Sequence, residues 1–162
     1  MPWYCLVPRF FGFDRTGMSL NTIYIVSSAL ALIWWIALLV SSLTAGKISD
    51  TVVRLVPALL SMIYLVLLIT LLPFEGGSFK SLTDITSLFN RPECALVGWV
   101  HYLAFDLFVG SWQVQTARRQ QIPKMALIPT LLLTMLVGPV GLLFFLLAHH
   151  VYKGRAVIVP QQ

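Results

Sequence analysis

Four long apolar stretches limit what this chain can fold into. They run from Leu20 to Leu43, from Leu55 to Leu72, from Cys94 to Val114 and from Leu127 to Ala148. A helix needs about 20 apolar residues to cross roughly 30 Å of hydrocarbon. The first, second and fourth stretches contain no Asp, Glu, Lys or Arg. The sequence therefore predicts four transmembrane helices.

The composition excludes a soluble globular domain. Of the 162 residues, 58% are hydrophobic and 10% are charged, whereas soluble domains have about 25% charged residues. No shift in composition marks a second core, so we predict an all-α integral membrane protein that is a single four-helix bundle. The transmembrane domain is expected at residues 20–151, after an N-terminal segment at 1–19 and before a polar tail at 152–162.

The connection between the second and third apolar stretches contains a short helical pattern. Its apolar residues recur at helical spacing, and they are Leu82, Ile85, Leu88 and Phe89. Ser81 and Asp84 precede them with the spacing of a capping box. The sequence predicts a short interfacial helix here.

The charge pattern and the spacing of possible metal ligands limit which binding partners are expected. The net charge is +5, but the basic residues are scattered and form no basic tract, so we expect no nucleic acid and take lipid headgroups as the counter-charge. Cys5 and Cys94 lie far apart, and His149 and His150 are adjacent and diverge on a helix. No metal site is therefore expected, and we predict no cofactor.

The third apolar stretch has an acid near its midpoint, Asp106. A charge at this depth costs about 2.5–3.5 kcal/mol on insertion scales, so such an acid normally faces the bundle interior and has a partner. It is a candidate catalytic group. It is equally a candidate structural group that links Tyr102 to a neighbouring helix by hydrogen bonds.

The residues around Asp106 form two stripes at 100° per residue. One stripe contains Trp99, Tyr102, Asp106, Gly110 and Gln113, and the other contains His101, Phe105, Phe108 and Trp112. His101 and Asp106 therefore point apart by about 140°. Either a ligand wraps around the helix, or each side chain has its own partner on a neighbouring helix, for which the candidates are Tyr24, Tyr64 and Thr134.

The fourth stretch contains Gly138-Pro139-Val140-Gly141. Proline removes a backbone hydrogen bond, and small residues allow another helix to approach closely. We predict a kink or a tight crossing at this run, with a ligand-lining role as the second interpretation.

Several segments resemble a known family. They are Gly98–Gly110, Ala117-Arg118-Arg119, Ile122-Pro123, Leu131–Thr134 and Gly138–Leu143. Together they closely resemble the abscisic-acid-deficient-four-like membrane protein family, which contains plant neoxanthin synthase. The resemblance implies a four-helix membrane protein. In the plant members it implies conversion of violaxanthin to neoxanthin, in which an epoxide opens and a proton leaves the chain to give an allene.

That reaction needs an acid and a base but no redox cofactor. The first hypothesis is a membrane isomerase that acts on a carotenoid or a related isoprenoid lipid. Its candidate catalytic residues are Asp106 as acid, His101 as base and Tyr102 as support for Asp106. Its candidate substrate-binding residues are Trp99, Phe105, Thr134 and Glu75.

The second hypothesis is a non-catalytic protein that binds a carotenoid or lipid or acts as a scaffold in a membrane assembly. A transporter is disfavoured because the four stretches show no internal repeat. The segment before the first helix lacks the composition of a plastid transit peptide, so we expect the bacterial inner membrane. The sequence leaves a homo-oligomer open.

Overall fold

The computed structural model describes residues 19–44, 50–71 and 79–156. Within these ranges the chain forms five helices and no strand. They are α1 (Leu20–Leu43), α2 (Asp50–Leu71), α3 (Leu82–Phe89), α4 (Pro92–Arg119) and α5 (Lys124–Ala156). The predicted all-α fold, with four long apolar helices and a short helix between the second and third, is confirmed.

The four long helices are each long and apolar enough to cross a membrane, which makes this a multi-pass membrane protein. The predicted bounds of α1 are correct, whereas α2, α4 and α5 extend beyond the apolar stretches. The last turn of α4 includes Arg118 and Arg119. α5 continues to Ala156, into the segment expected as a polar tail. The helices therefore extend past the hydrocarbon, where charged residues are tolerated.

α4 is the central helix. Half of its span is buried, against 22–28% of the other three spans, and it packs against α1, α2 and α5. Fully buried leucines from each long helix meet in one core, together with Phe145, and these leucines are Leu38, Leu60, Leu107 and Leu131. The outward faces of α1, α2 and α5 expose large apolar side chains, as expected for surfaces that contact lipid.

The short helix α3 begins as its sequence predicts. The Ser81 hydroxyl accepts a hydrogen bond from the Asp84 backbone N–H at 3.1 Å, which confirms Ser81 as the N-cap. Leu88 is buried, and the Phe89 ring lies directly over Gly98 of α4. α3 therefore packs against the beginning of α4.

α5 is broken in its middle. Val137 has non-helical backbone angles, with φ −143° and ψ 64°, and Pro139 follows two residues later. Proline has no N–H, and its ring clashes with the carbonyl four residues earlier, which here belongs to Met135. The predicted kink is therefore confirmed, and a second half-helix begins near the centre of the span.

A Schellman-type turn ends α4. The Ile122 N–H donates to the Ala117 carbonyl at 2.9 Å, and Ile122 itself is buried. Gln121, between the two helices, has a φ of 54°. Glycine usually occupies this left-handed position because it has no Cβ to clash.

We expect Gln121→Gly to stabilise the protein by up to about 1 kcal/mol, because left-handed backbone costs other residues about 1–2 kcal/mol and the added chain entropy of glycine offsets part of that gain. Thermal unfolding in mild detergent measures the change. Gln120→Gly is the matched control. Gln120 has a φ of −105°, so glycine at this position removes no left-handed backbone strain. An equal gain at both positions would contradict the explanation.

Candidate functional site at the break in α5

Asp106 lies at the interface of α4 and α5, directly opposite the break. Its side chain is 8% exposed. A Cβ added to Gly138 would overlap the Asp106 carboxyl, with the Cγ atom only 2.9 Å away. Glycine at position 138 therefore leaves the space that the carboxyl occupies, and the carboxyl reaches the backbone where the second half of α5 begins.

Tyr102 lies one turn before Asp106 and contacts the same part of α5. Its hydroxyl is 3.5 Å from the Met135 carbonyl, the carbonyl that would accept from residue 139 in a regular helix. Because residue 139 is proline, the Tyr102 hydroxyl takes the place of the missing donor at the outer limit of hydrogen-bond length. The same hydroxyl interacts with the Asp106 carboxyl.

One oxygen of Asp106 has no hydrogen-bond partner among the described residues. Oδ2 is buried and makes no hydrogen bond within the part of the chain that the structure describes. Leaving a buried polar atom unsatisfied costs about 1–3 kcal/mol, and more for a charged group. Such an atom needs an explanation, and a site where a ligand supplies the partner is one of them.

Gln113 and Thr134 form a separate polar pair between the same two helices. The Gln113 amide donates to Thr134 Oγ1 at 2.9 Å, the Thr134 hydroxyl can also donate to the Thr130 carbonyl at 2.8 Å, and both side chains of the pair are fully buried. Hydrogen bonds between membrane helices contribute about 0.6 kcal/mol on average. Thr134 thus joins α4 to α5 through Gln113, and its predicted contact with a substrate stays a prediction.

An aromatic groove begins on the same stripe of α4 as Asp106. The Trp99 ring lies 5.6 Å from the rings of both Tyr24 and Tyr102, and the Trp99 indole N–H donates to Ser28 Oγ at 2.9 Å. Beside Tyr24 and Trp99, α1 and α4 border an open groove of about 470 Å³. This volume is in the range of small-molecule pockets. Trp99, the lining residue nearest to Asp106 on α4, precedes it by about 10 Å of helix, and the groove extends from Trp99 towards the start of α4. Only a molecule that extends beyond the groove, past Tyr102, can reach the carboxyl.

His101 lies on the other side of α4. Its ring is exposed and contacts Phe105 at 4.7 Å and Tyr64 of α2 at 5.2 Å between centroids. Phe105 is 59% exposed and lies outside the aromatic groove. The predicted divergence of the two stripes is therefore confirmed, and the structure does not bring His101 or Phe105 together with Asp106.

Two further sequence predictions concern Glu75 and the absence of a metal site. Glu75 lies outside the described residues. Among the residues that are described, no group of three or more His, Cys, Asp or Glu side chains could hold a metal ion.

Sequence reasoning missed three contacts. They are the close approach of the Asp106 carboxyl to Gly138, the hydrogen bond from Trp99 to Ser28, and the contact between the Tyr102 hydroxyl and the Met135 carbonyl. The third had a usable signal, because a proline in a helix identifies the carbonyl that loses its donor. The first two had none, because the sequence does not say which faces of α1, α4 and α5 meet.

Comparison with known proteins gives one family and no individual relative. No curated protein and no solved structure gives a significant match. The sequence model of the ABA DEFICIENT 4-like family matches residues 22–145. The match covers well over half of the chain and includes most of α1, Trp99, Asp106 and the break in α5. The chain therefore belongs to the ABA DEFICIENT 4-like family.

Proposed function

We propose that this protein is a membrane isomerase that opens an epoxide and shifts a proton in a carotenoid or a related isoprenoid lipid. The observation that carries the proposal is the buried Asp106 carboxyl, whose Oδ2 has no partner among the described residues. It lies beside Tyr102 and on the stripe that leads to the aromatic groove. The resemblance to the family that contains plant neoxanthin synthase supports the substrate class.

The reaction balances without an external oxidant or reductant. One proton is added to the epoxide oxygen as its carbon–oxygen bond breaks, and one proton leaves the neighbouring chain carbon as the allene forms. In its protonated form, Asp106 can donate the first proton from its carboxyl. The Asp106 carboxylate left by that transfer can accept the second proton from the neighbouring chain carbon, which restores the protonated acid.

The geometry favours Tyr102 over His101 as the side chain that assists Asp106, with the Tyr102 hydroxyl supporting the carboxyl and accepting no proton. The epoxide oxygen and the departing hydrogen belong to one end group and lie a few bonds apart. His101 and Asp106, in contrast, lie on opposite sides of a helix that is about 10 Å wide. A single end group therefore reaches Asp106 and Tyr102 together. His101 as base requires a substrate that contacts both sides of α4.

The groove suits the apolar part of such a substrate. Tyr24 and Trp99 present aromatic rings that pack well against a conjugated chain or ring. The groove is formed by two helices that also expose large apolar side chains. A long polyene can therefore place one end at the carboxyl while the rest of the chain stays in the lipid.

A second candidate function is binding without conversion, either of a carotenoid or lipid or within a membrane assembly. The groove of about 470 Å³ supports this candidate, because it can hold an apolar molecule whether or not Asp106 transfers a proton. In both cases we propose the bacterial inner membrane as the location.

The proposal is tested by expressing the full chain in a host that accumulates several carotenoids, including epoxides. Total pigments, and the lipids that co-purify in mild detergent, are compared with an empty-vector host by chromatography and mass spectrometry. We expect a new pigment with the mass of its precursor. Unchanged pigments together with a stoichiometrically bound carotenoid or lipid would contradict the isomerase and favour the binding function.

A further inference from the structure

A second cavity lies at the opposite end of the bundle from the aromatic groove, where α1 ends and α4 turns into α5. It has a volume of about 380 Å³, and its lining includes Ser42, Thr44, Arg118, Lys124 and Leu127. It is formed by the ends of three helices. Neither Asp106 nor any residue of the aromatic groove contributes to it.

Two cations hold the end of α1 at this cavity. The Lys124 ammonium donates to the Leu43 carbonyl at 2.7 Å, and the Arg118 guanidinium donates to the Ser41 carbonyl at 3.3 Å. The last carbonyls of a helix have no intrahelical partner and are favourable sites for cations. The Lys124 ammonium has three N–H donors. Its contact with the Leu43 carbonyl uses one of them.

The described lining of the cavity combines positive charge with an apolar wall. It contains Arg118 and Lys124 but no Asp or Glu. α5 begins at Lys124, so the partial positive charge of a helix N-terminus adds to that of the side chains. Ile122 and Leu127 are buried apolar residues of the same lining. This combination fits a phosphate group joined to a hydrocarbon chain.

The position of the cavity points to a membrane lipid as the source of that phosphate. The cavity lies at the ends of apolar helices, which is the depth of the headgroups. Arg118, Arg119 and Lys124 crowd one short connection, and basic residues concentrate in cytoplasmic loops, where the leaflet contains anionic lipids.

We propose that this cavity binds the phosphate headgroup of an anionic membrane lipid, with Lys124 and Arg118 as the cationic contacts and Leu127 against the start of an acyl chain. This proposal is independent of the proposed isomerase activity, because the cavity shares no residue with the Asp106 interface.

The test measures binding of phosphatidylglycerol to the full chain in a neutral detergent by native mass spectrometry and by displacement of a fluorescent analogue. The displacement assay is run at 0.5 M salt, where the Debye length is below about 5 Å and diffuse attraction is screened. We expect Lys124→Gln to weaken binding at least about tenfold, since a direct hydrogen bond from a charged group contributes about 1.5–3 kcal/mol. The double variant Arg118→Gln/Lys124→Gln should bind at least about 100-fold more weakly by the same reasoning.

Two matched variants separate this site from general charge effects. Arg119→Gln removes the same charge from an exposed neighbour that does not line the cavity, and we expect less than about a twofold change. Lys124→Arg keeps the charge and should retain binding. If Arg118→Gln fails to fold, the comparison of Lys124→Gln with Lys124→Arg still tests the site. The proposal is wrong if Arg119→Gln weakens binding as much as Lys124→Gln. It is also wrong if phosphatidylcholine or inorganic phosphate competes as well as phosphatidylglycerol.

Discussion

Asp106→Asn is expected to lower the rate of conversion by about 10²–10⁴-fold, the usual contribution of one positioned acid–base group. Asparagine has nearly the shape of aspartate, so it fits the space beside Gly138 and keeps α4 packed on α5. It has no acidic proton to give to an epoxide oxygen. The measurement is the amount of isomer formed per folded protein in membranes that contain the substrate identified by pigment profiling.

Two variants on the same helix decide which side of α4 reacts. Tyr102→Phe should lower the rate because the hydroxyl interacts with the Asp106 carboxyl. His101→Gln should change it by less than about threefold, because an exposed ring on the far stripe makes no proton transfer. If His101→Gln instead removes activity as completely as Asp106→Asn, the substrate contacts both stripes and His101 is the base.

The competing structural role of Asp106 predicts a different pattern. If the carboxyl only holds α4 against α5, Asp106→Asn lowers the thermal stability in detergent while the activity of each folded molecule is unchanged. The Oδ2 atom, which has no hydrogen-bond partner among the described residues, argues against a purely structural role, because a structural carboxyl would be expected to use both oxygens. Stability and activity must therefore be measured on the same preparations.

Much of the fold could be predicted because the membrane imposes simple rules. A helix must be long and apolar to cross the bilayer, so α1 and the number of spans follow from the four apolar stretches. The cap at Ser81 and the two stripes of α4 follow from local spacing alone. The separation of His101 from Asp106 also follows from this spacing, since it depends only on the helical repeat.

Contacts between helices could not be predicted in the same way. The place of Gly138 opposite Asp106 depends on the rotation of α4 against α5, which local pattern does not determine. The break was predicted from Pro139, but its location at Val137 depends on how both halves of α5 pack against α4. The lengths of α4 and α5 were underestimated because their charged ends, such as Arg118 and Arg119, lie beyond the apolar stretches.

Gly141→Ala is expected to cause the largest loss of stability among the glycine variants, at least about 3 kcal/mol or failure to fold. A Cβ at position 141 would overlap the backbone nitrogen and Cα of Thr134. In an unbroken helix these two residues would be about 10 Å apart, so the close approach exists only because α5 is broken at Val137. Backbone atoms of the same helix cannot turn aside as a side chain can. The folded fraction during titration with a denaturing detergent measures the loss.

Two other glycines in α4 provide graded controls. At Gly98 a Cβ would meet the tip of the Phe89 ring at 2.8 Å, and this ring is 54% exposed and can rotate away. Gly98→Ala should therefore be neutral or stabilise by up to about 1 kcal/mol through helix propensity. At Gly110 the obstacle is the Trp35 ring, 2.5 Å away and buried, so a loss of about 1–3 kcal/mol is expected.

The order of these three effects tests the site as well as the fold. If Gly141→Ala is tolerated as well as Gly98→Ala, the two halves of α5 do not approach each other as described. The break would then not place the start of a half-helix opposite Asp106, and the space that Gly138 leaves for the carboxyl would lose its basis. A loss that rises from Gly98 through Gly110 to Gly141 would instead establish the broken helix on which the proposed chemistry of Asp106 and Tyr102 depends.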